Sequence, residues 1–483
     1  MEEEKPRAGD HPKPGHPLSP VKSPGEHMRT TKTQALLTNR STAEKDVANV
    51  YTAEFNEFGP EQKKLLHRTV AGSVVGNIIE QYDFVLYGSV AALVFGKLFF
   101  PSFDPTAALL ASFTTYAVGF IARPLGSLVA GHVGDLHGRK RVLVAMLLIA
   151  GISTTAIGLL PTYAAIGFWA TIFLVILRFV QGFSFGGERG GAILMVSETA
   201  PPEKRGFYTG LIPASSAIGG LLSTGVLFAL SFMPTETFEA WGWRVPFLLS
   251  IILVVTGLII RLRLKETPVF KAAEAEGKTT RKPILEVIKT NPKELLLAAG
   301  ISFGFGTLGY ILVTWLLSYI TIGLQLDAGV SLIALSISFV FYGLSDWVSS
   351  AISDRVGRRP VILTGGVAFA VWAFPMFALI DTKNPVLITV AMTVGTILAG
   401  MIYGPLASLI SELFATKFRY SGASMGYQLG QTMGGGFSPL IATALYAATM
   451  ASWSVALYLV VAGIITAACV FFLTETKGRD LTH

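Results

Sequence analysis

Cysteine is almost absent from this chain of 483 residues, and charged residues are scarce. The single cysteine, Cys469, lies in an apolar run, which excludes a disulfide framework and a cysteine-based metal site. Charged residues make up 14% of the chain, whereas soluble domains carry roughly 25%. The hydrophobic fraction is 51% and the mean hydropathy is +0.56, so the composition excludes a set of soluble domains.

Histidine is missing from the middle of every long apolar run. All seven histidines lie in the tails or close to the ends of these runs, so buried proton transfer would fall to carboxylates. No GxxxxGK[ST] sequence occurs, which argues against drive by ATP hydrolysis. No Ser-His-Asp set and no metal-ligating set occurs within the runs either. We therefore expect no enzymatic activity, no cofactor and no metal.

Long apolar stretches fill the chain from about residue 69 to residue 473. Each is long enough to span a hydrocarbon core of about 30 Å. This pattern predicts an all-α membrane protein, a bundle of twelve transmembrane helices in two pseudo-repeated six-helix halves. The predicted helices lie near 69–93, 107–131, 141–160, 165–197, 207–232, 243–262, 294–323, 330–353, 359–380, 385–412, 421–449 and 452–473.

The polar segments divide the chain into five predicted parts. The N-terminal segment is rich in proline and has no apolar stretch, which is typical of a disordered tail and excludes a cleavable signal peptide. The parts are a disordered cytoplasmic tail at 1–64, a first six-helix bundle at 65–265, a basic cytoplasmic linker at 266–292, a second six-helix bundle at 293–475 and a C-terminal tail at 476–483.

Lysine and arginine predict the orientation in the membrane. If the segment after the second helix is cytoplasmic, almost all of the 38 lysines and arginines fall in the tails, the linker and the inward loops. The exceptions are Lys97, Arg244 and Lys383 on the other side and Arg123, Arg178 and Arg189 within spans. We therefore expect a protein of the cell inner membrane with both termini in the cytoplasm, and no nucleic-acid partner.

A charged turn, GHVGDLHGRKR at 131–141, separates two apolar runs and has a counterpart, SAISDRVGRRP at 350–360. Aligning Asp135 with Asp354 also aligns the glycines and the basic residues that follow. A second repeat, E-x6-R, follows the fourth and the tenth predicted helix. Such charge pairs can close the cytoplasmic face in one state and part in the other. Positive-inside anchoring is the alternative, but it does not explain the paired aspartates and glycines. The predicted gating residues are Gly131, Asp135, Gly138, Arg139, Lys140, Glu198, Arg205, Asp354, Gly357, Arg358, Arg359, Glu412 and Arg419.

Five segments together resemble the metabolite:proton symporter family of the major facilitator superfamily. They are GNIIEQYDFVLYG at 76–88, ARPLG at 122–126, RFVQGFSFGGERGGA at 178–192, WGWRVPF at 241–247 and ETPVF at 266–270. The resemblance covers about residues 68–476 and departs at Gln81, where the family usually has tryptophan, and at Arg189. It implies uptake of small, often anionic or zwitterionic metabolites with protons.

The first helix carries the main candidates for proton transfer. Asn77, Glu80, Asp83 and Tyr87 recur at three- to four-residue spacing and share a face, with the two carboxylates near mid-membrane. Burial disfavours the ionised form of a carboxylate unless a cation lies beside it, and a proton carrier needs this property. We expect Glu80 or Asp83 to exchange a proton during transport, with Asp83 favoured. The alternative is that one of them is the structural partner of an arginine.

Arg123 is embedded in the second helix. It lies twelve residues before Asp135, which at ~1.5 Å per residue places it about 18 Å into the membrane. Because the first two helices are joined by a short connection, Arg123 can pair with Glu80 or Asp83. A buried ion pair that only fixes helix packing is the alternative.

The remaining embedded charges are Arg178, Glu188 and Asp346. Arg178 and Gln181 share a face of the fourth helix, with Glu188 roughly on the same side. Arg178 also falls at the position of the superfamily's embedded arginine, which implies proton coupling or substrate contact; an ion pair that fixes packing is again the alternative. Asp346 is the clear candidate in the second half, although a structural role near the charged turn is equally consistent with its position.

These features predict a proton-coupled secondary transporter that imports a small polar metabolite by alternating access. The substrate is expected between the halves near mid-membrane, and the embedded arginines favour one that bears a carboxylate. Alternatives within the class are a zwitterionic osmolyte symporter, an exporter and a passive uniporter; a non-transporting membrane receptor is the alternative from another class. We expect the substrate, protons and the lipid bilayer as partners and a monomer as the functional unit. Candidate pocket aromatics are Tyr310, Trp315, Tyr342 and Tyr403.

Overall fold

The computed structural model describes residues 59–137, 139–186, 189–262, 289–414 and 419–478. These residues form helices and no β-strand, which confirms the predicted all-α class. From Gln62 onwards they belong to one compact unit. Eleven helices in the described part are long and apolar enough to cross a membrane, by length and composition.

Twelve principal helices follow the predicted order. We call α1–α6 the first half and α7–α12 the second half. Their bounds are α1 Pro60–Val90, α2 Pro105–His137, α3 Arg139–Leu159, α4 Phe168–Gly186, α5 Arg205–Leu230, α6 Val245–Leu262, α7 Pro292–Tyr310, α8 Ala328–Val356, α9 Arg358–Ile380, α10 Pro385–Leu413, α11 Arg419–Gln431 and α12 Trp453–Phe472. Shorter helices are Tyr163–Ile166, Arg189–Thr199, Pro202–Lys204, Thr235–Ala240, Gly242–Arg244 and Ser438–Thr449.

Three helices contain π-helical turns, which the apolar pattern does not predict. α1 continues through Ala91–Phe95 and α7 through Ile311–Trp315, so the first helix of each half is distorted at a similar place. α11 continues through a π turn at Thr432–Gly436 and is then interrupted by a turn at Phe437, so the predicted helix at 421–449 is divided and is not one of the eleven long spans. π turns inside α-helices are frequent at functional sites.

Glycines bring α2 and α4 unusually close together. A Cβ atom at Gly182 would collide with the backbone carbonyl of Gly119, and one at Gly186 would collide with that of Arg123. Small residues allow this backbone approach inside a membrane. The close crossing places the side chains of Arg123 and Arg178 in the same region of the first half.

The two halves pack along α5 and α8. At one end Thr224 accepts a hydrogen bond from Ser336 over 2.9 Å, and at the other Ser350 donates to the carbonyl of Gly206 over 2.8 Å. Asp327 caps α8 by accepting a bond from the Gly329 N–H over 2.7 Å. The two halves are therefore in contact at both ends of this helix pair.

Candidate functional site

Arg123 and Glu80 form a buried ion pair within the first half. Arg123 Nη2 lies 3.0 Å from Glu80 Oε1, and the two side chains are only 1% and 4% exposed. The guanidinium carbon also lies 3.8 Å from the ring centroid of Phe84 and 4.7 Å from that of Phe120. Of the two carboxylate partners that the sequence left open for Arg123, the structure selects Glu80.

Asp83 is linked to Arg178 through two neutral side chains. Arg178 Nη1 donates to Gln181 Oε1 over 2.5 Å, Gln181 Nε2 donates to Thr154 Oγ1 over 2.7 Å, and Thr154 Oγ1 donates to Asp83 Oδ2 over 2.8 Å. All four side chains are fully buried. The second carboxylate oxygen of Asp83 accepts no hydrogen bond from a described residue. We call Glu80, Asp83, Arg123 and Arg178, with Thr154 and Gln181, the charged network.

Aromatic rings surround the two arginines of the charged network. The guanidinium carbon of Arg178 lies 4.0 Å from the ring centroid of Tyr87, 4.6 Å from that of Phe84 and 5.1 Å from that of Tyr116. Two guanidinium nitrogens of each arginine make no hydrogen bond to a described residue. Cation–π contacts therefore replace part of the lost hydration.

The other predicted candidates occupy separate places. Asn77 Nδ2 donates to the carbonyl of Ile212 over 2.7 Å, so it ties α1 to α5. The Tyr87 and Thr115 hydroxyls lie 2.7 Å apart. Asp346 is fully buried on α8. Glu188 lies outside the described residues.

A central cavity of about 480 Å³ lies between the halves. Gln81 of α1 contributes from the first half, and the other lining residues belong to α7, its π turn, α8, α10 and α11. No charged side chain lines it in the described part of the chain. Three of the four predicted pocket aromatics line the cavity, whereas Trp315 stacks on Tyr319 with ring centroids 5.0 Å apart. The lining is Gln81, Phe305, Gly309, Tyr310, Leu312, Val313, Phe339, Tyr342, Thr396, Ala399, Tyr403 and Tyr427.

A second cavity of about 540 Å³, the hinge-side cavity, extends towards Ile410 and Ser411 near the end of α10. It shares only Tyr403 and Tyr427 with the lining of the central cavity. The hydroxyls of these tyrosines are 3.4 Å apart. The tyrosine pair therefore separates the two cavities.

The charged network does not line either cavity, but aromatic rings connect it to the central one. Tyr310, which lines the central cavity, contacts Phe120 with ring centroids 5.0 Å apart and Tyr116 with centroids 6.0 Å apart. These two rings lie against Arg123 and Arg178 on the network side. One layer of side chains thus separates the arginines from the cavity.

Asp354 joins the two halves at the charged turn. Its carboxylate accepts hydrogen bonds from the Gly206 and Phe207 N–H groups, each over 2.9 Å, at the start of α5. A carboxylate at a helix N-terminus is favoured by the helix dipole. Arg358 Nη1 lies 2.7 Å from Asp354 Oδ1. Because α5 and α8 belong to different halves, Asp354 links the two halves at this end of the molecule.

Glu412 extends the same group of charges. Arg358 Nη2 lies 2.9 Å from Glu412 Oε1, and Arg205 Nη1 of the first half lies 3.6 Å from it. Thr476, after α12, donates to Glu412 Oε2 over 2.8 Å. We call Arg205, Asp354, Arg358 and Glu412 the hinge network.

Glu475 fastens the segment after α12 to the start of α9. Its carboxylate accepts bonds from the Arg358 and Arg359 N–H groups over 2.9 and 3.1 Å. Burial by itself raises the pKa of Glu475, but these and the Thr476 and Lys477 N–H groups outweigh burial and hold the pKa below its usual value. This segment therefore braces the hinge network.

The remaining gating candidates are only partly described. Gly357 has φ of +102°, a conformation that favours glycine. Arg359 donates to the carbonyls of Val470 and Phe471. The structure does not describe Gly138. It also does not describe the surroundings of Gly131 or the side chains of Asp135, Arg139, Lys140, Glu198 and Arg419.

Sequence reasoning missed Thr154, Phe120 and Tyr427. A threonine or an aromatic residue in an apolar helix resembles ordinary packing, so no signal marks these three. Glu475 and Thr476 do carry a signal, because the Glu-Thr pair after the twelfth helix repeats Glu266-Thr267 after the sixth.

Comparison with known families gives one clear match. The model described as Major Facilitator Superfamily matches residues 74–427 and 334–482. The chain is 38% identical to the inner membrane metabolite transport protein YhjE of Escherichia coli, over 86% of the chain and 96% of that protein. It is 37% identical to the shikimate transporter of Escherichia coli, over 85% and 95%. It is 34% identical to the proline/betaine transporter of Salmonella typhimurium, over 86% and 85%.

Among solved structures, the chain is similar to the partially occluded inward-open xylose transporter XylE from Escherichia coli. The TM-score is 0.70 at 17% sequence identity, covering 86% of this chain and all of the other. The likeness shows a shared fold.

Proposed function

Because the chain belongs to the major facilitator superfamily, and is therefore a multi-pass membrane transporter of metabolites, we propose that it couples import of a small carboxylate-bearing metabolite to protons. The observation that carries this proposal is the position of Asp83. It is a fully buried carboxylate linked to Arg178 only through Thr154 and Gln181. A carboxylate without a direct cationic partner is suited to exchange a proton in mid-membrane.

Protonation of Asp83 would change the charge beside the central cavity. With Asp83 ionised, its charge and that of Glu80 balance Arg123 and Arg178. With Asp83 protonated, one arginine is left without compensation, and its field is strong in a medium of low dielectric constant. An anionic substrate is then attracted to the cavity when the proton is present, which is the relation that symport requires.

Release requires the halves to separate at one end. The contacts of Asp354 with the start of α5 and of Glu412 with Arg205 support this, because they link the halves at the hinge network. We assign gating to this network and to the equivalent turn at 131–141, where the same residue types recur. Rocking of the halves about the central cavity gives alternating access. We place the hinge end and both termini at the cytoplasmic face of the inner membrane and expect a monomer to suffice.

We propose the substrate class from the names of two relatives. One relative is named for shikimate and another for proline and betaine, and all three compounds bear a carboxylate. The zwitterionic compounds keep osmolyte symport as a second candidate, because the central cavity is rich in aromatic rings that suit a quaternary ammonium group.

The test is accumulation by the purified protein in liposomes. With an acidic exterior, we expect uptake of labelled shikimate or labelled glycine betaine above equilibrium and collapse of the gradient when a protonophore is added. Uptake that only equilibrates, with or without a pH gradient, would indicate a uniporter. Complete absence of transport of both probes would support a receptor instead. Accumulation only with the opposite pH gradient would indicate an exporter.

A further inference from the structure

Gln81 is partly exposed and lines the central cavity, and its side chain makes no hydrogen bond to a described residue. Two buried glutamines, Gln181 and Gln431, use their amide nitrogens within the protein. Gln181 Nε2 donates to Thr154 over 2.7 Å, and Gln431 Nε2 donates to the carbonyl of Ser302 over 3.1 Å. An amide in mid-membrane without a protein partner is costly, and a bound ligand group would recover that cost.

Among the described residues that line this cavity, Gln81 is the one that belongs to the first half. It also lies next to Glu80 in sequence and within one turn of Asp83. A substrate that contacts Gln81 therefore contacts the helix that carries both carboxylates of the charged network.

A substrate carboxylate in the central cavity would meet no cationic side chain among the described lining residues. The arginines act on it only through the ring layer of Tyr116 and Phe120. The carboxylate must therefore be received by neutral donors, and the NH2 group of an amide is suited to this task.

We propose that Gln81 Nε2 donates a hydrogen bond to the carboxylate of the substrate and is the specificity-determining contact of the first half. The inference rests on the proposed function, since it takes the substrate to be a carboxylate. The apolar body of the substrate then packs against the rings of Tyr342 and Tyr403, which lie nearly parallel with centroids 6.5 Å apart.

The test compares Gln81→Glu with Gln81→Leu in the liposome uptake assay with labelled shikimate and labelled glycine betaine. Glutamate has nearly the same size but replaces the donor with an acceptor and brings negative charge. We expect Gln81→Glu to raise KM about 10- to 100-fold and Gln81→Leu to raise it less, because leucine loses the bond without repelling the carboxylate. Thermal melting in detergent confirms that both variants fold.

Gln428→Glu is the control, because it makes the same substitution at a glutamine that lines the hinge-side cavity and not the central one. It should leave KM within about twofold of the wild-type value. An equal loss in Gln428→Glu and Gln81→Glu would overturn the inference, as would normal uptake by Gln81→Glu.

The failure of this inference is distinguishable from failure of the proposed function. If the wild-type protein accumulates a probe in a protonophore-sensitive manner but Gln81→Glu behaves identically, only the assignment of Gln81 is wrong. If the wild-type protein accumulates neither probe, the proposed function is refuted and the inference with it.

Discussion

Asparagine in place of Asp354 removes the carboxylate that joins the halves at the hinge network. Each carboxylate oxygen accepts a hydrogen bond from a backbone N–H group of α5, one from Gly206 and one from Phe207, both over 2.9 Å. Asparagine keeps one acceptor oxygen and replaces the other with an NH2 group that cannot accept. The variant therefore loses one charge-assisted bond across the halves, while Arg358 retains Glu412.

The expected magnitude follows from that one bond. A hydrogen bond to a charged group contributes about 1.5–3 kcal/mol, and each 1.4 kcal/mol changes an equilibrium about tenfold. The fraction of molecules open at the hinge end should therefore rise roughly 10- to 150-fold in Asp354→Asn.

Cysteine labelling measures this opening. Cys469 is the single cysteine and is first replaced by serine. Ser424→Cys then places a thiol in the hinge-side cavity, where Ser424 is 6% exposed in the closed structure. When opening is fast relative to labelling, the labelling rate follows the open population. Asp354→Asn should therefore accelerate labelling of Ser424→Cys in detergent-solubilised protein roughly 10- to 150-fold.

Asp327→Asn is the matched control, since it makes the same substitution at the other end of α8, where Asp327 caps the helix within its own half. It should leave the labelling rate unchanged. An unchanged rate in Asp354→Asn, or an equal acceleration in both variants, would refute the assignment of the closed hinge to this carboxylate.

Three further predictions concern packing, the charged network and the segment after α12. Gly182→Ala forces a methyl group against the Gly119 carbonyl and should destabilise the protein by about 1–3 kcal/mol or more, seen as a lower melting temperature. Thr154→Val breaks the link to Asp83 and should reduce pH-driven uptake per folded protein roughly 10- to 100-fold. Glu475→Gln should lower the melting temperature at neutral pH. Because the folded pKa of Glu475 is lowered, its stabilising effect is present above its ordinary pKa and is lost as the pH falls through the lowered value.

The first two variants each have a control substitution, and the third has a control condition. Gly225→Ala adds a methyl group where no atom lies within 4 Å, so melting as low as that of Gly182→Ala would count against the close-packing argument. Thr155→Val removes a hydroxyl that bonds only the Gly151 carbonyl, and it should preserve uptake. A difference between wild type and Glu475→Gln that persists in strong acid would contradict the role of the Glu475 carboxylate.

The pairing of Arg123 was predictable only in part. The rise per residue places this arginine at the depth of Glu80 and Asp83, but spacing along one helix does not say which neighbouring helix each side chain faces. The structure turns Glu80 towards α2 and Asp83 towards Thr154 on α3. Thr154 gave no signal because its hydroxyl also reaches its own helix, at the Ala150 carbonyl.

The location of the cavities was less predictable than the helices. The apolar runs and the repeated charged turns identify the helices and their order, since the membrane imposes a fixed length on each span. Whether an aromatic residue lines a cavity depends on helix rotation and on local distortion. Tyr403 and Trp315 are both aromatic residues within apolar runs, so the sequence does not distinguish them. In the structure Tyr403 lines both cavities, whereas Trp315 packs on Tyr319.

Asp83→Asn tests the central claim most directly. The measurement compares accumulation of labelled substrate under an inward proton gradient with exchange of labelled for unlabelled substrate when no gradient is present. We predict that Asp83→Asn abolishes accumulation and retains exchange, because the variant binds substrate but cannot release a proton. Accumulation by Asp83→Asn at the wild-type level would contradict the claim and would move the proton to Glu80, Glu188 or Asp346.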